Sequence, residues 1–202
     1  MYDRVMHGNL AIVTAPTTEP LLVAEAKDHL RVIVSDEDDY IEGLIQSART
    51  YLDGRDGVLG RALITQTWDY TLDEFPARQW IPLPLPPIQS IVSIKYRDAA
   101  GTLQTFGASN YSLSADKQWR PRVILAAGAS WPGTWGEPEA VVIQTTNGYG
   151  NAVDVPIPLR QALLLILGHL YENREPVNIG NIVTPLPLSV DALLAPYMVT
   201  AF

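Results

Sequence analysis

Residues 159 to 175 read LRQALLLILGHLYENRE. At helical spacing Leu159, Ala162, Leu163, Ile166, Leu167 and Leu170 fill one face, and Leu164, Leu165 and Tyr171 cover much of the rest. A helix that is apolar nearly all round is buried on all sides. The chain offers only about three helical segments, so one copy has little with which to surround it, and neighbouring copies are expected to help. The end of the stretch, HLYENREPV at 169 to 177, crowds polar groups together. A zinc-binding helix needs two histidines on one face, and here there is one. The other histidines, His7 and His29, fall in an N-terminal arm and a different helix. No G-x-S-x-G is present to present a serine nucleophile. The simpler reading puts His169 inside packing, with Glu172, Asn173 and Arg174 finishing the helix.

Upstream, Pro156 and Pro158 precede the helix, and Pro158 suits a first helical turn. NGYG at 147 to 150 reads as the turn that leads into it. From residue 63 the period changes to that of strands. ITQTWDYTL, SIVSIKYRD, LQTF, NYSLS, RVILA and AVVIQTT are the candidates. Pro82, Pro84, Pro86 and Pro87 lie between the first two, and proline so dense belongs in an extended loop or at a sheet edge.

Before the strands come two helical segments. PLLVAEAKDHLRV, 20 to 32, places Leu22, Val23, Ala26 and Leu30 on one face. SDEDDYIEGLIQSARTYLDGRDG, 35 to 57, carries an apolar stripe of Ile41, Leu44, Ile45, Ala48 and Leu52. Ser35 is the expected N-cap, with Asp38 completing an imperfect capping box, and Gly54 and Gly57 mark the stop. Asp36, Glu37, Asp38 and Asp39 sit where the positive end of the helix dipole favours them. Residues 1 to 20 read as an extended arm. The last segment, PVNIGNIVTPLPLSVDALLAPYMVTAF, has neither sustained period nor charge and reads as a tail that takes its order from something else.

The expected fold class is α+β: a small helical bundle core, an inserted antiparallel β domain and an extended C-terminal tail. The expected division is residues 1–62 for the arm and first helices, 63–151 for the β insertion, 152–176 for the helix that completes the bundle, and 177–202 for the tail.

The totals narrow the function. Hydrophobic residues make up 47% of the 202, enough for an ordinary core. Charged residues make up only 18%, below the usual quarter, which points to surface hidden by partners. The net charge of −8 disfavours gripping nucleic acid. Arginines outnumber lysines 11 to 3, a bias found in interfaces. With no cysteine, thiol catalysis, disulfides and Cys-based zinc sites are excluded. The longest apolar run, ALLLILG at 162 to 168, is too short to cross a membrane, and a soluble protein is expected. Trp68, Trp80, Trp119, Trp131 and Trp135 could form sugar platforms, with Asp69, Asp73, Glu74, Glu137 and Glu139 nearby in sequence. Core and interface positions are the simpler reading. A glycan-binding or glycan-hydrolysing module on this Trp-rich β region is the alternative function.

Several segments taken together resemble the head–tail connector (head-completion adaptor) proteins of tailed phages, prophages and gene transfer agents. They are EPLLVAEAKDHLRV, DEDDYIEGLIQSARTYLDGRDG, GRALITQTWDYTLDEFP, LPLPPIQSIVSIKY, YSLS, ASWPG, AVVIQTTNGYG, VPIPLRQALLLILGHLYENRE and LPLSVDALLAPY. The resemblance runs from about residue 19 to 197 and rests on the order and spacing of the segments. One departure is visible: the family often has Ser or Thr before the first helix, where this chain has Leu22.

The resemblance implies a homo-oligomeric ring, commonly of twelve, in the neck of a phage-like particle, made in the bacterial cytoplasm. Its partners would be the portal protein and a tail-side connector or tail terminator protein. DNA would pass through the ring without specific binding, and no membrane, cofactor, metal or catalytic residue is implied. Ring packing falls to Leu163, Leu165, Ile166, Leu167, Leu170 and Tyr171. The portal-binding tail would use Leu186, Leu188, Leu193, Leu194 and Tyr197. Asp36, Glu37, Asp38, Asp39 and Glu42 are the candidates for lining the channel.

Overall fold

The computed structural model describes residues 8–174 and 188–199, Leu188 by its backbone alone. His7 and Leu186 lie outside the described residues. The chain divides into two compact units. One contains residues 8–17 and 65–149, the other 18–64, 150–174 and 188–199.

The first unit is antiparallel β structure. Its strands are β1 (Asn9–Thr14), β2 (Gln66–Leu72), β3 (Trp80–Pro82), β4 (Ile88–Arg97), β5 (Leu103–Thr105), β6 (Tyr111–Leu113), β7 (Arg122–Leu125) and β8 (Val141–Asn147). One sheet has the order β1-β2-β8-β4-β5, the other β3-β7-β6. In β2 every second residue is buried, so Gln66, Trp68, Tyr70 and Leu72 share the inner face. In β8 Val141, Ile143, Thr145 and Asn147 do the same. Tyr70, Leu72, Ile81, Ile94, Val123, Val141 and Ile143 then meet in one core drawn from both sheets. The buried polar groups at its end are satisfied: the Trp68 indole N–H donates to Gln66 at 2.9 Å, and the Asn147 amide donates to the Leu85 carbonyl at 2.8 Å. Phe75 and Trp131 stack at 4.9 Å against Phe106.

Two strands go beyond the sequence reading. Residues 9–14, read within an arm, pair with β2 along a sheet edge. Residues 80–82 form β3 within the proline-rich stretch. Pro82 sits at the end of an edge strand, where its missing N–H costs the ladder nothing.

The second unit is built on α1 (Val23–Leu30), α2 (Asp38–Leu52), α3 (Ile157–Glu172) and α4 (Leu188–Leu194), followed by a 3-10 turn at Ala195–Tyr197. Leu22 occupies the N-cap of α1 and supplies no side-chain cap, which follows from its lack of a hydroxyl. The cap expected of Ser35 is corrected. Its carbonyl accepts the Asp38 N–H at 3.1 Å in a turn, so α2 begins later, with Glu37 at its N-cap. Lys27 pairs with Asp38 at 2.5 Å and closes the connection between α1 and α2.

Past α2 the chain doubles back so tightly that a Cβ on Gly57 would lie 2.4 Å from the Asp53 carbonyl. The Asp53 carboxylate accepts the Leu63 N–H at 2.7 Å. Arg61, fully buried, donates from Nε to the Tyr197 carbonyl, and the Val199 N–H donates to the Leu59 carbonyl at 3.0 Å.

Pro158 falls in the first turn of α3, as its fixed φ allows. Leu159, Ala162, Leu163, Leu164, Ile166 and Leu167 of α3 are buried, and α1, α2 and α4 pack around the helix. Arg160 clamps Glu25 of α1 through both carboxylate oxygens, at 2.7 and 2.6 Å. One chain thus covers more of α3 than its three expected helical segments could, while Leu165, Leu170 and Tyr171 stay half-buried. The missing wall is α4, whose Val190 and Leu194 are buried. That helix spans two turns beside Pro185 and Pro187, too short a run for its period to register in sequence.

Removing buried methyl groups leaves a cavity as well as losing transfer energy. Leu194→Ala should cost about 2–5 kcal/mol in urea denaturation. An unchanged midpoint would mean that residues 188–199 do not dock on α3.

Candidate functional site

The polar end of α3 is a clasp on the start of α2. The Tyr171 hydroxyl donates to one Glu37 oxygen, and Arg174 Nη2 donates to the other at 2.7 Å. The Arg174 guanidinium lies 4.6 Å from the Tyr40 ring and 4.8 Å from the Tyr171 ring. Arg174, and then Tyr171, hold the Glu37 carboxyl below the usual carboxylate range by hydrogen bonding. The same bond to Glu37 pushes the Tyr171 hydroxyl up. Asn173 donates from its backbone and its side-chain amide to the His169 carbonyl, at 3.1 and 2.8 Å, which closes the helix end. The crowded stretch at 169 to 174 is thus a structural terminus, tied to residues far away in sequence.

This splits the acidic run. Glu37 and Asp38 are consumed by ion pairs with Arg174 and Lys27. Asp36, Asp39 and Glu42 are exposed and make no ion pair among the described residues. The α3 residues expected to pack a ring divide as well. Leu163, Ile166 and Leu167 are buried within one chain. Leu165, Leu170 and Tyr171 are half-buried. Of the residues expected in a portal-binding tail, Leu194 is buried against the helical unit, and Leu193 and Tyr197 are half-buried.

The tryptophans do not form one platform. Trp68 is buried on the inner face of β2, and Trp131 stacks on Phe75 while its indole N–H donates to the Arg78 carbonyl at 2.9 Å. Trp80 is flanked by Arg78 and Arg122, and Trp119 and Trp135 are exposed. Two of the nearby carboxylates tie the β unit together: Asp69 accepts from Gln144 at 2.9 Å, and Asp73 accepts the Glu139 N–H at 3.0 Å. The glycan alternative finds no support.

No protein-family model and no curated protein matches the sequence. Solved structures do. The neck of an empty gene transfer agent (GTA) particle, computed with C6 symmetry, contains a chain 27% identical, with a TM-score of 0.75, over 96% of this chain and 97% of that one. The virion of a native GTA particle contains one 28% identical, with a TM-score of 0.75, over 96% of each. The neck of a native GTA particle, computed with C12 symmetry, gives 26% identity and a TM-score of 0.70 over 96% and 97%. This chain has the fold of a particle-neck protein. The connector resemblance read from its segments is borne out across both units.

Two features of this neck fold escaped the sequence reading. Arg61 sits in a loop, and nothing in its spacing signals burial. The Arg78–Trp80–Arg122 stack is built by pairing β3 with β7, where Pro82 faces Arg122 and Trp80 faces Ile124. Trp80 and Arg122 are then diagonal neighbours on one face, a relation only strand register creates.

The clasp has a pH signature at both ends. The lowered pKa of Glu37 means its stabilisation is present above the ordinary carboxylate pKa of about 4.3 and lost as pH falls through the lower folded value. The raised pKa of Tyr171 means its stabilisation is present below about 10 and lost as pH rises through the higher folded value. Glu37→Gln should lower the urea midpoint at pH 7 and match the parent chain once the carboxylate is protonated. A gap that persists unchanged into strong acid would remove Glu37 ionisation as the cause.

Proposed function

We propose that this chain is a structural component of the neck of a phage-like particle, where copies of it form a ring between head and tail. The observation that carries this is the match to GTA neck structures over 96% of the chain, at TM-scores of 0.70 to 0.75. The symmetries of those necks, C6 and C12, support a ring of identical copies. In such a ring the half-buried Leu165, Leu170 and Tyr171 face a neighbouring copy. Leu193 and Tyr197 face the portal protein. The opposite rim meets a tail-side connector or tail terminator. Catalysis has no part in this role, which is to join two assemblies and leave an opening for DNA. With a net charge of −8 per copy, the ring repels phosphate, and DNA slides through rather than being gripped.

Deleting the gene should leave heads and tails that accumulate separately, and supplying the chain in trans should restore joined particles. Electron micrographs of the restored necks should show a ring with six-fold or twelve-fold symmetry. Normal particles in the deletion strain would overturn the proposal. Leu165→Asp should reduce joining while leaving a folded chain, because an unpaired charge becomes buried at the contact.

A further inference from the structure

The hairpin between β6 and β7 carries cations that its own chain does not balance. From Ser114 to Arg122 it reads SADKQWRPR. Its single acid, Asp116, accepts the Trp119 N–H at 2.9 Å and shapes the turn. Lys117, Arg120 and Arg122 make no ion pair among the described residues. The guanidinium of Arg122 lies 4.2 Å from the centre of the Trp80 ring, and that of Arg78 lies 3.9 Å from it. The contact with the Trp80 ring holds Arg122 in place before any partner arrives. Less side-chain entropy then remains to be lost on binding. Trp119, 47% exposed, adds an apolar anchor beside the charges.

A basic, aromatic face on a chain of net charge −8 calls for an anionic partner of defined shape. The chain itself carries one. Asp36, Asp39 and Glu42 project from the start of α2 without a cation, as described above. We infer that the β6–β7 hairpin face of one copy docks on this acidic segment of a second copy. The inference rests on the ring reading, because contacts in a cyclic ring join two different patches of the same chain. Arg120 and Arg122 offer planar forks that match carboxylates, and three cations meet three acids. The acids are then a subunit contact rather than a channel wall. Duplex DNA is the less favoured occupant, because the rest of each copy repels phosphate.

Charge reversal in particles tests this. Arg120→Glu with Arg122→Glu should cut incorporation of the chain into necks about tenfold or more, as should Asp39→Arg with Glu42→Arg. Combining all four should restore it. Thermal melts of each purified variant establish that it is folded. The contact is overturned if folded double variants incorporate normally, or if the combined variant stays as low as either pair. Normal incorporation of Arg120→Glu with Arg122→Glu, but with loss of packaged DNA, would overturn it in favour of nucleic acid.

A second readout uses the absence of cysteine in the chain. Arg120→Cys with Asp39→Cys, treated in assembled particles with a short bis-maleimide, should give a ladder of covalent oligomers, and each single substitution should not. Rings without the ladder would overturn the contact and leave the ring standing. Wild-type necks that lack the chain altogether would overturn the ring reading instead.

Discussion

The helical unit depends on one constraint: α3 is apolar on nearly every side. A fully buried leucine contributes about 1.5–3 kcal/mol relative to an exposed one, so a helix of this kind must be enclosed. Each neighbour takes one side. α1 is locked to it by the Arg160–Glu25 clamp, and α2 by the Tyr171–Arg174–Glu37 clasp. α4 covers part of what is left with Val190 and Leu194. Ion pairs half open to water add modest energy, but they set where each helix sits along α3. What remains half-buried on α3, Leu165, Leu170 and Tyr171, is the surface left over after the chain has met its own needs.

The β unit is held differently. Its core mixes residues from two sheets, and its aromatic side chains stack rather than line a cleft. Of the carboxylates that might have done chemistry, Asp69 and Asp73 hold strands and turns together. An interior filled in this way leaves function to the outer surface. That accords with a protein whose activity is assembly.

Much of this could be read from residues. The alternation in β2 and β8, the stripe on α2 and the all-round apolarity of α3 are local patterns, and each predicted its element. So did the density of prolines, which placed 82–87 at an edge or in a loop. Local patterns failed where the signal was short. β3 has three residues and α4 two turns, and neither repeats often enough to rise above its surroundings. The cap at Ser35 failed because a turn intervened, and a turn is a choice among conformations that spacing does not rank.

The sequence by itself determined the class of elements, the acidic balance, the lack of thiol chemistry and the segment order by which the chain resembles head–tail connectors. These follow from composition and from periods that each element carries within itself. Only the tertiary structure decided which polar residues are spent inside the chain and which are left for partners. Glu37 and Asp38 lie beside Asp36 and Asp39 in sequence, yet two are paired and two are not. Their partners Arg174 and Lys27 are 137 and 11 residues away. A charge's role depends on what stands within a few ångströms of it, and that distance is created only when the chain closes on itself.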